Sequence, residues 1–577
     1  VSGLLPAPNF TPLTESQVAS PSPTYNVQLS GNSARLGQSV PVPYGRHLMV
    51  PDFASQSYSE FDNDDNQFYH ALFCLGQVDK FTLESVMIDD TELSHFEDVE
   101  TQLVGPNYPT ALSLVNPAVV NAPEVAGQDM NQFEYVGPFA SCGPGLRATH
   151  IGIDITCPKG LYKAKDNGDL EEKTTTWLVE ARPINDRGGT AGDWFLLGSE
   201  TLTAATNKKI RRSYKYGVSA GRYEDRVSRT DTRDDNIRAG HDLQWLGMRS
   251  YIDAPAPLEP SATFLALRIR ANSQLSGLSQ RRITVIIRRW LPTWNPTTGW
   301  SAPVETRSIA WAFADVLRNT DYGAKVADSR IDLQTLYELD QVWADRGDTF
   351  NAIFDKRVTV WSALTTIARA GRARPIMRGS VFTLVRDEQQ DLPVALFSMR
   401  NIERGSFSID YNMLSDDATD GLELEFYNEE SWASDYITIK VNSNNTFSVV
   451  GVGEEGPANP AKMSIMGVTS YDQAEREALY IVADSVYRRS AIAFTTEMEG
   501  YLPAYGDLIA VSHDIAGWGV SGDVEDWDDS ELVMTVTEDL NWTVGDNYCI
   551  LVNSQGDVFG PYKVTPGEAE RTMVFQE

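Results

Sequence analysis

Apolar and polar positions alternate with a period of two along most of the chain, and a helical period replaces it in only two places. Over residues 67–75, Tyr69, Ala71, Phe73 and Leu75 fall on one side of an alternating pattern, the mark of a strand. Residues 86–93 (VMIDDTEL) read as strand, Asp-Asp turn, strand. Between residues 105 and 300 nine candidate strands follow one another: YVGPFAS, THIGIDITCP, TTTWLVEARPI, DWFLLGSETL, KKIRRSYKYG, GRYEDRVSRT, LQWLGMRSYI, ATFLALRIRA and RRITVIIRRW. Their even spacing, with Gly, Asp or Pro between them, predicts one or two β-sandwiches.

The first helical stretch lies in residues 301–390. Ile309, Phe313, Val316 and Leu317 mark one helix. Leu336, Leu339 and Trp343 mark a second that closes at Gly347, and Trp361, Leu364, Ile367 and Ala368 a third that closes at Gly371. ARPIM and VFTLV, joined by RGS, then form a tight hairpin. Residues 391–520 return to β patterning (DLPVALFSMRNI, GLELEFYNE, DYITIKV, FSVVGVG) before the second helical stretch, 472–489. There Asp472 and Glu475 have capping-box spacing. Ala474, Ala478, Ile481, Val482 and Ser485 share a face of mostly small residues, and Arg488 and Arg489 sit in the last turn. The period then returns to two at Ile492, Phe494, Thr496 and Met498, with a turn at Gly506-Asp507 before Leu508–Val511. This part predicts a helix feeding a β-hairpin.

Proline refines two regions. In residues 38–46 (QSVPVPYGR) two prolines alternate with valines, so the segment is an edge strand or a crossover and not a central strand. Residues 1–24 are rich in Pro, Ser and Thr without periodicity and read as an extended arm. Residues 521–577 are β-patterned again after the acidic loop GDVEDWDDSE. The chain begins at Val1 and ends in what reads as an interrupted strand and turn, which suggests a piece of a longer polypeptide.

With 577 residues the chain calls for several cores. Hydrophobic residues make up 42%, which suits a folded protein. No run approaches the length of apolar residues that a membrane-spanning helix needs. The formal net charge of −32 repels nucleic acid, which counts against DNA binding but leaves open a surface past which DNA slides; the plainer reading is that the charge keeps a large assembly protein soluble. Cys74, Cys142, Cys157 and Cys549 lie far apart without a CxxC motif. Cys142 and Cys157 could bridge, but buried free thiols are the better expectation. The basic residues Lys208, Lys209, Arg211, Arg212, Arg281, Arg282, Arg288 and Arg289 read first as solvated outer strand faces, and otherwise as a docking surface for an acidic partner.

Several motif matches carry no chemistry in this context. Gly217–Gly221 fits GxSxG around Ser219, but a nucleophile elbow needs a strand–turn–helix setting and both flanks read as antiparallel strands. Gly451–Gly456 and Gly517–Gly522 fit GxGxxG without opening a helix, and the acidic residues there oppose a pyrophosphate. The six histidines are isolated. The acidic runs 62–66 and 523–529 read as solvated loops, since the first lacks the glycine and distal glutamate of an EF-hand. The residues single out no catalytic, cofactor-binding or metal-ligating set.

Taken in order, SVPVPYGRHLMVP, QFYHALFCLGQVDKFTLESVMIDDTEL, EYVGPFAS with the later Gly160-Leu161-Tyr162, and GRYEDRVSRT resemble the host-specificity protein J family, the tail-tip hub of lambda-like siphophages. Residues 315–324 (DVLRNTDYGA), the run from DKRVTVWSAL to VFTLVRDE, and the helix and strands of 474–514 resemble later parts of the same family. At residues 86–93 the family pattern has Gly where this chain has Asp89. The resemblance covers most of residues 25–515 and fades beyond about 520.

It implies a mainly β, multidomain, baseplate-hub-like fold with α+β elements. Residues 1–24 would be an arm, 25–104 part of a first tube-like β-barrel, and 105–300 an inserted β-sandwich tract. Residues 301–390 would be a small α/β domain, 391–520 a second tube-like barrel that includes helix 472–489, and 521–577 a C-terminal β domain. It further implies a non-enzymatic homotrimer without cofactors. Its partners would be the distal tail protein ring, the tape-measure protein and other tail-tip proteins, with phage DNA passing through the lumen and the host envelope met by parts beyond this chain. Such a protein is assembled in the host cytoplasm and acts from the virion at the cell surface. Rival readings are a receptor-binding fibre or adhesin, a tail-associated cell-wall hydrolase, and the hub of a gene transfer agent or tailocin-like particle.

Overall fold

The computed structural model describes residues 31–35, 37–108, 111–253, 258–271, 282–411, 419–515, 517, 519–555 and 557–576. The expected N-terminal arm and Arg281 lie outside these residues. The chain is multidomain and mostly β, and it divides into two compact units. The first takes residues up to 42, 49–79 and 83–287; the second takes 43–48, 80–82 and 288 onward. The proline-alternating segment is therefore a crossover: the chain leaves the first unit after Val42 and returns at Met49. The strand that ends at Tyr44 forms a two-stranded sheet with Ala352–Phe354.

In the first unit Gln67–Gly76 pairs antiparallel with Thr263–Arg270, which pairs in turn with Val99–Val104. ATFLALRIRA thus does not extend the sandwich, as its spacing suggests, but returns to the first sheet. Tyr69, Ala71, Phe73 and Leu75 are buried as the alternation predicts. His70 and Leu72 on the opposite face are buried as well, and Leu72 joins a cluster with Tyr58, Val115, Val119 and Phe264. Period two defines the faces of a strand, but what covers the second face comes from elsewhere in the chain.

The turn of residues 86–93 forms between Phe81–Ile88 and Thr91–Glu92, with Asp89 at φ 53°. This left-handed conformation is the one that favours Gly or Asn/Asp, which accounts for Asp where the family pattern has Gly. Asp89 also exchanges hydrogen bonds with Arg282: its N–H donates to the Arg282 carbonyl (2.8 Å), and its carboxylate accepts from the Arg282 N–H (3.2 Å).

Between residues 119 and 252 two antiparallel sheets face each other. One runs Gln128–Asp129, Gln244–Ile252, Ala148–Cys157, Ile210–Gly221, with Val119–Asn121 beside Gln244–Ile252. The other runs Tyr135–Ala140, Tyr223–Arg229, Lys173–Pro183, Phe195–Ala204. The alternating Ile151, Ile153 and Ile155 of the first meet Trp177, Val179, Ala181 and Val227 of the second in one apolar core. Burial of such aliphatic and aromatic side chains stabilises by roughly 1.5–3 kcal/mol each.

The second unit begins with three helices, α1 (Ile309–Arg318), α2 (Leu333–Arg346) and α3 (Val360–Arg369). The side chains of Ser308, Asp332 and Thr359 accept backbone N–H groups at their N-termini. Gly347 closes α2 in the left-handed conformation, as expected. Gly371 does not close α3; Ala370 does, and the left-handed residue is Arg372. Gly371 is needed because a Cβ there would come within 2.4 Å of the Trp343 indole, whose Nε1 donates to the Gly371 carbonyl at 2.9 Å. The hairpin Ala373–Arg378/Val381–Arg386 forms as read.

Helix α4 (Tyr471–Tyr487) starts after Ser470, so Asp472 is its second residue and not its cap. It buries Ala474, Ala478 and Val482, and also Gln473 and Glu477, while Ser485 is exposed. It packs on a four-stranded sheet in the order Phe447–Val449, Ala433–Val441, Gly421–Asn428, Pro460–Ser464. No hairpin follows it. Ser490–Ala493 pairs antiparallel with Ser408–Tyr411, and Ile509–Val511 pairs parallel with Ala395–Phe397. Phe397, Ile402, Phe407 and Phe494 unite the two pairs through a small core. The last strands form a five-stranded sheet packed around Met534, Val536, Val564 and Met573.

Candidate functional site

The GxSxG and GxGxxG matches and the acidic run 62–66 lie in the settings expected of them, but the acidic run 523–529 is not a loop: Val524–Asp528 is an exposed strand paired antiparallel with Val533–Val536, its side chains left in solvent while its backbone joins the last sheet. Ser219 is exposed within the strand Ile210–Gly221, its carbonyl accepting from the Tyr223 hydroxyl at 2.7 Å. Gly453 and Gly517 occupy turns, and both they and Gly519 have positive φ. Asp62 is committed to its own loop, where it accepts from the backbone N–H groups of Asp64 and Asn66. Cys142 and Cys157 are buried and unbridged. Among the described residues no three His, Cys, Asp or Glu side chains cluster to hold a metal.

The basic residues split in a way their spacing does not show. Lys208 and Arg282 are exposed, as solvated faces would be. Arg211 and Arg289 are buried, and this corrects the expectation. The Arg211 guanidinium lies 4.6 Å from the Phe61 ring centre, and its Nη atoms donate to Gln67 Oε1 and to the Asp65 carbonyl, each at 3.4 Å, while the Arg211 backbone N–H donates to the Asp65 carboxylate at 2.6 Å. Arg289 donates to the Tyr322 hydroxyl at 2.8 Å. A guanidinium with an aromatic face and oxygen acceptors can be taken out of water, whereas a bare one cannot.

What the second unit concentrates is a buried polar junction between segments far apart in sequence. Tyr44, from the VPYGR run, donates to Asp315 Oδ2 at 2.7 Å, and Tyr322 donates to the same oxygen at 2.5 Å. Asp315 and Tyr322 both come from the DVLRNTDYGA run, so two of the quoted family-like pieces meet at one carboxylate. Burial, and then the Asp315 charge, pushes the Tyr44 hydroxyl well above its ordinary pKa, so it remains a donor. The neighbouring Gly45 has φ +67°, and a Cβ there would lie 2.2 Å from Asn351 Oδ1.

Asn351 is the second centre of the junction. Its Oδ1 accepts from the Arg46 N–H (2.9 Å) and from Arg307 Nε (2.8 Å). Its Nδ2 donates to Thr349 (3.0 Å) and Thr469 (2.8 Å), and its N–H donates to the Gly467 carbonyl at 2.8 Å. Arg307 and Thr469 both also bond Glu429. A side chain that uses every donor and acceptor while 1% exposed fixes the geometry of its neighbours. Nothing in the periodicity points to Asn351, Arg307 or Glu429; isolated polar residues give no pattern. The arrangement locks these distant segments together.

Two comparisons with known proteins bear on this molecule. Residues 145–254 match the family model of the FNIII-A domain of tip attachment protein J. Residues 145–252 of this match lie within the two-sheet sandwich. Over 248 residues the chain is 24% identical to the tip attachment protein J of Escherichia phage SECphi27, which covers 39% of this chain and 19% of that protein. The chain thus spans about a fifth of the length of this curated relative. Among solved structures it is similar to a chain in the virion of a native gene transfer agent particle, at 11% identity and a TM-score of 0.37 over 83% of this chain and 79% of that one. It is also similar to the receptor binding domain of the spike protein P1 of bacteriophage PM2, at a TM-score of 0.16 over 23% of this chain and 92% of that one. Together the family model and the curated relative support a J-family protein.

Proposed function

We propose, for a chain that carries the FNIII-A domain of tip attachment protein J, the role of structural hub at a phage tail tip. The coarse reading, a structural component of a virion tail tip, is what the homology supports. The finer reading is a homotrimer that joins the tail tube to the host-recognition tip and forms and gates the channel through which DNA leaves. In that role it meets the distal tail protein ring and the tape-measure protein.

The observation that carries this proposal is the family match of residues 145–254 within an intact two-sheet sandwich. Physical features agree with it. A net charge of −32 keeps a DNA polyanion sliding and unbound. Ser408–Tyr411 and Ser490–Ala493 pair with one another in a sheet of two strands that a small core joins to one further strand pair, and such short sheets gain stability from further surfaces. Subunits arranged about a symmetry axis supply such support.

An electron-microscopy map of the parent particle tests the proposal. The expected result is a threefold density for this chain at the tail tip, surrounding the channel. A ring of six or twelve copies, or a position on the head, would overturn it. Zero clearing of cell-wall suspensions by the isolated protein is expected, and lysis would favour a hydrolase instead.

A further inference from the structure

We infer that a cleft in the second unit, between α3, the hairpin 373–386, α4 and the loop 505–507, binds a peptide segment that carries carboxylate side chains. The inference is independent of the tail-tip reading. The cleft has a volume of about 780 Å³, within the range of sites that enclose small ligands and short peptide stretches. Its walls carry Arg369, Arg372, Arg374, Arg386 and Arg488, in a chain whose acids outnumber its bases by 80 to 48.

The acids that share these walls are already engaged. Glu477 holds Arg372 at 2.9 Å. Asp387 accepts from Tyr480 and from both Nη atoms of Arg488, and Asp484 pairs with the same guanidinium at 3.0 Å. Asp507 accepts from the Ala504 N–H in its own turn at 2.7 Å. Three arginines, by contrast, keep unused donors. Arg369 is exposed, and its side chain makes no hydrogen bond or ion pair among the described residues. Among the described residues the Arg374 side chain reaches only the Tyr505 hydroxyl, at 2.7 Å. Arg386, with its side chain 6% exposed, gives Nη1 to Glu388 at 2.7 Å while its buried Nε has no partner. A buried guanidinium N–H without an acceptor is costly, and a planar guanidinium fork matches the two oxygens of a carboxylate.

Two features favour a peptide over a nucleic acid. Asp387, Asp484 and Asp507 lie along the same walls and would oppose a continuous run of phosphates, whereas carboxylates spaced by neutral residues avoid them. Trp361 (47% exposed) and Tyr505 (56% exposed) line the cleft and offer faces to the apolar side chains between those carboxylates.

The test is fluorescence anisotropy of a fluorescein-labelled peptide of alternating leucine and glutamate, titrated with the full chain. Saturable binding is expected, lost when glutamine replaces the glutamates. The double variant Arg369→Gln/Arg374→Gln, at two exposed positions, should weaken it about tenfold or more. Arg378→Gln, an exposed arginine outside the cleft, should change it by less than about twofold. Absence of saturable peptide binding, or equal binding by the double variant with unchanged circular dichroism, would overturn the inference. So would displacement of the peptide by inorganic phosphate or by a single-stranded oligonucleotide at lower concentration than unlabelled peptide requires.

Discussion

The sandwich of residues 119–252 and the junction around Asn351 hold strands and helices together by opposite means. In the sandwich, two sheets interdigitate alternating apolar residues, with Ile151, Ile153 and Ile155 against Trp177 and Val179. Its strands lie within one continuous stretch of chain. At the junction, segments around residues 44, 307, 351, 429 and 469 are joined by hydrogen bonds from single polar side chains. An apolar core tolerates small shifts, since burial is non-directional. A polar junction does not, because each donor or acceptor left behind is charged its full desolvation cost. The sandwich is also the part that matches a family model. That fits a domain whose requirement is a repeating pattern and not a particular set of polar partners.

Substitutions separate the two modes. The largest effect is expected at Trp177, which is fully buried. Trp177→Ala should cost about 3–5 kcal/mol, read by hydrogen exchange as loss of protection over residues 145–254, with residues 421–469 unchanged. If both regions lose protection together, the two are one cooperative system and the comparison fails. Next is Asn351→Ala, which strands Arg307 Nε and the Arg46 N–H. It should cost about 2–3 kcal/mol and reverse the pattern, deprotecting 421–469 and sparing the sandwich.

Asp225 sharpens the comparison from inside the sandwich. It is fully buried, neither carboxylate oxygen has a hydrogen-bond partner among the described residues, and burial, followed by the Glu224 charge, pushes its pKa well above the ordinary value. Because the folded-state pKa is raised, its ionisation adds no penalty below the unfolded value of about 4. Stability then falls as pH rises above it, up to the folded pKa. Asp225→Asn should remove that pH dependence, and Asp225→Leu should stabilise by about 1 kcal/mol or more at neutral pH. Urea titrations at several pH values measure both; a parallel pH profile in the variant would refute the account.

Two smaller effects address the turns and the motif match. Asp89→Val should cost about 1–2 kcal/mol through its positive φ, while Asp89→Gly should be close to neutral; thermal melts distinguish them. Ser219→Ala should change stability by less than about 0.5 kcal/mol and leave infection intact. A loss of infectivity there would revive an enzymatic reading.

Some of this was legible residue by residue. The three helices at 309–369 and the hairpin after them followed from apolar spacing and caps, because both are local properties of a dozen residues. The helix–hairpin at 472–511 did not. Its helix formed, but Ser490–Ala493 and Ile509–Val511 chose partners about 80 to 110 residues upstream in the chain, Ser408–Tyr411 and Ala395–Phe397. Strand pairing satisfies backbone groups that every residue carries, so the pattern of side chains cannot name the partner.

By itself, the sequence determined where the helices and most of the strands lie, the decoy character of GxSxG and GxGxxG, and, through the order of short family-like runs, a likeness to protein J. Only the tertiary structure decided that Thr263–Arg270 rejoins the first sheet, that Arg211 and Arg289 are buried, that Tyr44 and Asp315 share a hydrogen bond, and that five arginines line one cleft. The division has one physical reason. Periodicity reports whether a residue seeks water, which is a property of that residue and its neighbours. The partner of a buried charge or hydrogen bond is set by which distant segment the fold brings to it.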